Sequence, residues 1–278
     1  MSDLKCCVIS CDKPLDAAYW EAQYETKSTS WDLGEISPPI QTYLDTVTDK
    51  KSSILIPGCG NSYEAEYLSQ QGFTNSTVID IAPTPVAVLK EKFKKNPNIQ
   101  IILGDFFEHL GEYNLILEQT FFCAIPPTMR QKYVWKIHQL LAKEGILVGL
   151  LFNRTFDSGP PFGGSKVEYE KLFKDAFHFL KMEISPNSIA PRANTELFFE
   201  LKKNNDVVVN LYEFEGITCS GCMETITEKF LAIDGVLNVS MSTNFAEVLI
   251  VSKNEIAIET LQREIAYDEK YLIKKIKN

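Results

Sequence analysis

The feature that most constrains this chain is an alternation that begins at Ser53. Short apolar runs of strand length, SILIP (53–57), STVID (76–80), IQIIL (99–103), YNLILEQTFF (113–122) and ILVGLLF (146–152), alternate with helical patterns. The helical patterns are YEAEYLSQQG (63–72), TPVAVLKEKFKKN (84–96) and PTMRQKYVWKIHQLLAKEG (127–145). Gly72 closes the first as a C-cap, and the other two carry proline in the first turn. Gly145 is the expected end of the third. Strands this uniformly apolar are buried on both faces, which requires a mostly parallel sheet covered by helices on each side. The expected fold class is therefore α/β, a doubly wound sheet. A helix over Ala17–Tyr24 and the turn-rich STSWDLGEISPPI (28–40) precede it. A helix KVEYEKLFKDAF (166–177) and late strands near Lys181–Ile184 and Glu196–Leu201 follow it.

After the polar junction LKKNNDVV (201–208) the rhythm changes. VVVNLYEF, METITEKFLAI, VLNVSM, FAEVLIV, EIAIETLQREIA and YLIKKI read in order as βαββαβ, a small ferredoxin-like unit. The expected organisation is a mobile leader 1–14, a large domain 15–203, a linker 204–208 and a small domain 209–278.

A hydrophobic content of 45% with 23% charged residues describes a folded chain rather than a disordered one. The formal net charge of −9 argues against nucleic acid and anionic membranes as partners. The longest apolar run, Gly145–Phe152, falls far short of the ~20 residues of a spanning helix. The N-terminus, with Asp3 and no long apolar core, does not read as a secretory signal, so the expected location is cytoplasmic. In that compartment the close cysteines Cys6, Cys7, Cys11 and Cys219, Cys222 favour metal or redox chemistry over structural disulfides.

The turn Gly58-Cys59-Gly60 joins the first strand to its helix, where an adenosine-bearing cofactor sits in a doubly wound sheet. The third glycine of a dinucleotide fingerprint is missing, with Ser62-Tyr63 in its place, so a pyrophosphate-hugging helix is disfavoured. Asp80 ends the second strand, a position suited to ribose hydroxyls, and Asp105 follows the third, where an adenine amino group is read. Taken singly, either acid could equally be a solvated loop residue.

Seven ordered stretches carry a more specific signal: WEAQYETKSTSWDLGEISPPI, ILIPGCGNSYEAEYL, VIDIA, GDFFE, FFCAIPPTMR, LLAKEG and GPPF. Over residues 15 to about 203 the chain resembles the thiopurine methyltransferase superfamily of S-adenosylmethionine (SAM)-dependent enzymes, in its halide/thiol methyltransferase branch. The resemblance implies a class I SAM-dependent methyltransferase domain. It also implies that Trp20, Tyr24 and Trp31 wall the SAM site, with Tyr24 where the family often has tryptophan. Gly58 and Gly60 then form the methionine-side turn, Asp80 holds the ribose, and Asp105 with Phe106 contacts adenine. Gln119 stands where the family often places an aromatic. On the acceptor side the resemblance points to NRTFDSGPPFGG and SIAPRANTE, with Arg192 to attract an anion, Phe122 and Phe162 as pocket walls, and Arg154 as a weaker candidate.

Methyl transfer from a sulfonium is an in-line displacement that depends on alignment and desolvation. A small-molecule or inorganic acceptor that is already a soft anion needs no general base, and His109, His138 and His178 fall in no acid–base constellation. His138 and His178 are expected on helices. Cys123 reads as a small buried hydrophobe and Cys59 as part of the cofactor turn.

In EGITCSGCMETI, Cys222 lies at a helix entrance, where free N–H groups and the helix dipole favour thiolate. Two thiolates without histidine suit Cu(I), Ag(I) or Hg(II) better than a four-ligand zinc site. In isolation the pair could also be a redox dithiol. Residues 209–276 resemble heavy-metal-associated domains, whose usual motif is GMTCxxC, with Ile217 here in place of methionine. That resemblance implies soft-metal ligation by Cys219 and Cys222, and a metal-exchange partner. The leader cysteines could deliver metal to this pair or simply belong to a reduced tail.

The expected function is thus SAM-dependent methylation of a small thiol, hydrosulfide, halide or metalloid species, serving detoxification, with an attached soft-metal domain. The alternative is a metal-handling or sensing protein in which SAM binding is regulatory or vestigial.

Overall fold

The computed structural model describes residues 14–276. Cys6, Cys7 and Cys11, and with them most of the expected leader, lie outside the described residues.

Two helices open the chain, α1 (Ala17–Glu25) and α2 (Pro38–Thr46). The alternating segment follows as β1 (Ile54–Pro57), α3 (Tyr63–Gln70), β2 (Ser76–Asp80), α4 (Pro83–Lys92), β3 (Ile99–Leu103), β4 (Tyr113–Gln119), α5 (Arg130–Leu140), β5 (Leu141–Phe152), α6 (Lys166–Phe173), β6 (Phe177–Ile184) and β7 (Glu196–Lys203). These strands form one seven-stranded sheet in the order β3-β2-β1-β4-β5-β7-β6. Pairing is parallel from β3 to β5, and β7 is antiparallel to both its neighbours. Strand order reverses between β1 and β4, which opens a crevice beyond their carboxyl ends. One sheet face is covered by α2, α3 and α4 through Ile40, Leu44, Ala65, Leu68 and Leu89. The other is covered by α5 and α6.

Three expectations are corrected. α5 ends at Leu140 rather than Gly145, because Leu141 already pairs with Tyr113 of β4. Sheet pairing there overrides a helical pattern, as tertiary context commonly does. α6 ends at Phe173, and His178 lies on β6, not on a helix. β4 stops at Gln119, so Thr120-Phe121-Phe122 form a turn.

The C-terminal segment gives β8 (Val208–Glu215), α7 (Ser220–Leu231), β9 (Val236–Met241), β10 (Glu247–Ser252), α8 (Ile258–Ile265) and β11 (Leu272–Lys275). Its four strands pair antiparallel in the order β11-β8-β10-β9. Alternation sends Tyr212, Phe214, Val248 and Ile250 to a core shared with Ile226, Phe230, Leu261 and Ile265 of α7 and α8. The intervening residues Val209, Leu211, Leu249 and Val251 point the other way, into the core around α5. α5 is therefore sandwiched between two sheets, which explains why Tyr133, Val134, Trp135, Lys136, Ile137 and His138 are all buried. Gln131 Nε2 donates to Ser240 Oγ at 3.1 Å and to the Met241 carbonyl at 3.0 Å across the same seam. Residues 204–207 form an ordered turn, where Asn204 donates to the Asp175 carbonyl at 2.8 Å. The N–H of Asn204 bonds to the carbonyl of Ala176 at 3.1 Å.

Candidate active site

The crevice is a cleft of about 870 Å³ lined by the ends of β1, β2 and β4, the start of α3, α1 and the loops after β3 and β5. Its floor is the turn after β1. Gly58 and Gly60 have φ of +55° and +49°, and a Cβ on Gly58 would lie 2.3 Å from Cδ2 of Phe121. Only glycine takes both the backbone conformation and the close approach. The turn is fixed from β2: Asp80 Oδ2 accepts the Gly60 N–H at 2.8 Å and Oδ1 accepts that of Ala82 at 2.9 Å. Burial raises the Asp80 carboxyl above its ordinary range, and the N–H groups of Ala82, Gly60 and Ile81 oppose that rise.

α1 lies over the cleft. Asp16 caps it, accepting the Tyr19 N–H at 2.9 Å. Glu21 pins it to the start of α4, accepting the Thr84 N–H at 2.9 Å and its hydroxyl at 2.6 Å. Trp31 makes edge contacts with Trp20 and Tyr24 at 5.6 and 5.9 Å between ring centroids, so the three aromatics form one wall. The Tyr24 hydroxyl sits above Gly60, 2.9 Å from where a Cβ would be. Burial, with Asp80 nearby, raises its pKa and keeps it protonated. Opposite, Asp105 caps the short 3-10 turn Phe106–Glu108 by accepting the Phe107 N–H at 2.8 Å. Phe106 packs edge-on to Phe121 at 5.1 Å.

All nine expected cofactor residues, Trp20, Tyr24, Trp31, Gly58, Gly60, Asp80, Asp105, Phe106 and Gln119, line this one cleft. The donor set fits SAM. Ser62 Oγ and Gln119 Oε1 are buried there without a hydrogen-bond partner among the described residues, and ligand polar groups would satisfy them. Glu64, also lining the cleft, is pushed up to about 7 by burial, with Asp32 adding to the rise.

Of the acceptor candidates, Arg154 and Arg192 line the cleft, whereas Phe122 and Phe162 do not. Phe122 is 1% exposed and packs at 5.0 Å against Tyr133, and Phe162 is buried beneath Gly159. Phe121 stands at the wall in place of Phe122. Arg192 is already neutralised: its Nη1 lies 3.2 Å from Glu196 Oε1, both side chains being largely buried, and its Nη2 donates to the Trp31 carbonyl. Arg154 lies over the Phe156 ring at 4.6 Å and makes no ion pair with a carboxylate among the described residues. Cys123 lines the cleft but is buried, its thiol donating to the Thr120 carbonyl at 3.2 Å and its pKa raised by burial. The histidines lie elsewhere: His109 bonds Tyr113 at 2.7 Å and His138 bonds the Asn204 carbonyl at 3.1 Å.

Sequence reasoning missed Phe121, Ser62, Glu64 and the hydrogen-bonded pair Asp32 and Asn61, all lining the cleft. All five lie within stretches already quoted, Asp32 in WEAQYETKSTSWDLGEISPPI, Asn61, Ser62 and Glu64 in ILIPGCGNSYEAEYL and Phe121 in FFCAIPPTMR, but nothing in those stretches marked them individually.

Cys219 and Cys222 lie apart from the cleft, at the start of α7. Cys219 is the N-cap, its sulfur accepting the Cys222 N–H at 3.4 Å, and the two sulfurs are 2.6 Å apart. Hydrogen bonds from Cys219 and Tyr271 lower the Cys222 pKa. Ile217 packs against the small core beside Cys222. Among the described residues no group of three or more His, Cys, Asp or Glu could hold a metal ion. No helix among them is long and apolar enough to cross a membrane.

The family profile of Thiopurine S-methyltransferase (TPMT) matches residues 15–201, ending before β8. A probable thiol methyltransferase 2 of Arabidopsis thaliana is 31% identical over 193 residues, covering 67% of this chain and 85% of its own. Thiocyanate methyltransferase 1 of the same plant is 27% identical over 206 residues, covering 69% and 88%. Among solved structures, a 1,6-didemethyltoxoflavin-N1-methyltransferase of Burkholderia thailandensis with bound S-adenosylhomocysteine is similar in fold. Its TM-score is 0.56 at 18% identity, over 68% of this chain and 87% of that one.

Proposed function

The chain belongs to the thiopurine S-methyltransferase family and is a SAM-dependent methyltransferase, and we propose that its acceptor is a small soft anion such as a thiolate, hydrosulfide, halide or metalloid oxyanion. When bound, SAM supplies an electrophilic methyl on a sulfonium. The residues of this chain bind, orient and dry the site. Asp80, Gly58 and Gly60 shape the floor, the α1 aromatics exclude water, and Asp105 with Phe106 bounds the adenine side. The observation that carries the acceptor class is Arg154, a guanidinium without a carboxylate partner among the described residues, lying over the Phe156 ring in a cleft that Pro160 and Ile125 also line. An anion desolvated there is a stronger nucleophile and needs no proton removed. The thiol and thiocyanate methyltransferases among its relatives support the same class.

The C-terminal βαββαβ unit is read as a ferredoxin-like, heavy-metal-associated domain in which Cys219 and Cys222 ligate one soft ion such as Cu(I), Ag(I) or Hg(II). A lowered Cys222 pKa and the N-cap position of Cys219 support thiolate ligation. Together the two activities fit detoxification of soft, thiophilic species within the cytoplasm.

The test is steady-state turnover of the full chain with labelled SAM and hydrosulfide, thiols, iodide, selenite, tellurite or arsenite, with methylated product measured in the headspace. The reading predicts volatile product from at least one soft anion. Turnover on amines or hydroxyls alone would contradict it. Cys219→Ser/Cys222→Ser is predicted to abolish one-to-one Hg(II) binding; unchanged stoichiometry would remove the metal assignment.

A further inference from the structure

We propose that Glu118 is a positioning residue for methyl transfer, its buried carboxylate fixing the turn at residues 119–123 that holds the cleft wall against the glycine floor. The proposal rests on the methyl-transfer reading above. Glu118 is fully buried near the end of β4 and does not itself line the cleft. Oε1 accepts the N–H groups of both Phe121 and Phe122 at 2.8 Å, and Oε2 accepts the Tyr133 hydroxyl at 2.8 Å. In a dry interior those two N–H groups would otherwise be orphaned.

The turn they hold is strained. Thr120 has φ +61°, a left-handed conformation that a β-branched residue rarely adopts. Gln119, Thr120 and Phe121 all line the cleft, and the Phe121 ring presses on Gly58, the floor of the cofactor turn. Glu118 thus acts on the site through its neighbours. β5 makes room for it: a Cβ on Gly149 would lie 2.4 Å from the Cβ of Glu118 and 2.3 Å from its carbonyl oxygen. The demand on the side chain is for acceptor geometry. A glutamine can keep its amide oxygen on the two N–H groups and donate its NH₂ to the Tyr133 oxygen.

The experiment uses the full chain with Glu118→Ala, Glu118→Gln and Tyr133→Phe. It measures kcat at saturating SAM, KM for the best acceptor and SAM affinity by calorimetry. Loosening the turn by about an ångström predicts an approximately 100-fold fall in kcat for Glu118→Ala, with SAM affinity changed far less. Glu118→Gln is expected to stay within about threefold of the parent, since it retains both bonds to the turn and replaces the Tyr133 bond by one of opposite direction. Parent-like kcat in Glu118→Ala, or a Glu118→Gln enzyme as slow as Glu118→Ala, would overturn the proposal. Where Glu118→Ala does not fold, Tyr133→Phe decides: it keeps both backbone bonds and is expected to lower kcat about three- to tenfold. Unchanged kcat there would also overturn the proposal. A parent that binds SAM but forms no S-adenosylhomocysteine with any acceptor fails the methyl-transfer reading itself, and this proposal with it.

Discussion

The Asp80 carboxylate accepts the Gly60 backbone N–H at 2.8 Å, so one acid at the end of β2 braces the glycine turn at the end of β1. The same carboxylate is the expected ribose ligand, and cofactor affinity and turn geometry therefore depend on one side chain. Asp80→Ala removes two bonds to backbone donors and, on the proposed reading, the ribose contact. SAM affinity is expected to fall about 10- to 100-fold by calorimetry, the magnitude of one or two charge-assisted hydrogen bonds. Asp80→Asn, which keeps one carbonyl acceptor, should lose less.

The two arginines of the cleft should behave differently. Arg192→Ala strands Glu196 without its partner in a buried site, so it is expected to cost about 3–5 kcal/mol of stability. Arg154→Ala is expected to leave the melting temperature nearly unchanged and raise KM for anionic acceptors roughly tenfold, with SAM affinity intact. Steady-state kinetics and thermal melts on both variants check this pair.

The C-terminal sheet supplies the outer wall of α5. Leu211 and Leu249 are essentially unexposed in the core that also holds Tyr133 and Ile137. Leu211→Ala is expected to destabilise the whole chain by about 2–5 kcal/mol, read as one cooperative urea transition. A chain ending at Lys203 should expose α5 and lose solubility, or melt far below the full chain. A truncated protein as stable as the parent would refute the shared core.

His138 is buried at this seam and held neutral. Burial pushes its pKa down to about 4 from 6.5, against the Asn204 carbonyl, which favours the charged ring. The unfolded chain takes up the proton near its ordinary pKa and the folded chain does not. Stability contributed here is present above about pH 6.5 and is lost as pH falls from there toward about 4. The stability difference between the parent and His138→Gln should drop by about 3 kcal/mol across that window. Urea titrations of both proteins at several pH values measure it, with other titrating groups cancelling in the difference.

Much of the fold was legible because its strands are apolar runs without polar alternation, although only β2 of the two that follow is buried throughout and β3 is the part-exposed edge of the sheet. STVID and IQIIL match β2 and β3 to the residue. The glycine floor of the cleft was legible for a related reason: Gly58, Gly60 and Asp80 meet backbone demands that few residues satisfy. The end of α5 was hidden, because the Leu141 pairing with Tyr113 is a contact between segments far apart in sequence. Phe121 and Phe122 are neighbours of identical type, and only the turn held by Glu118 decides which of them faces the ligand. The relative merit of Arg154 and Arg192 was hidden for another reason: Glu196 lies in the same quoted stretch as Arg192, but only the folded turn brings its carboxylate onto the guanidinium.

The central claim is that the cleft transfers a methyl from SAM to a soft anion. The most direct measurement is a single turnover on the full chain. Methyl-labelled SAM is bound below enzyme concentration, its occupancy confirmed by calorimetry, and hydrosulfide or iodide is then added. The account predicts that the label leaves as a volatile methyl product, with one S-adenosylhomocysteine formed per methyl released. Label that stays on bound SAM with every soft acceptor, at full occupancy, would contradict it.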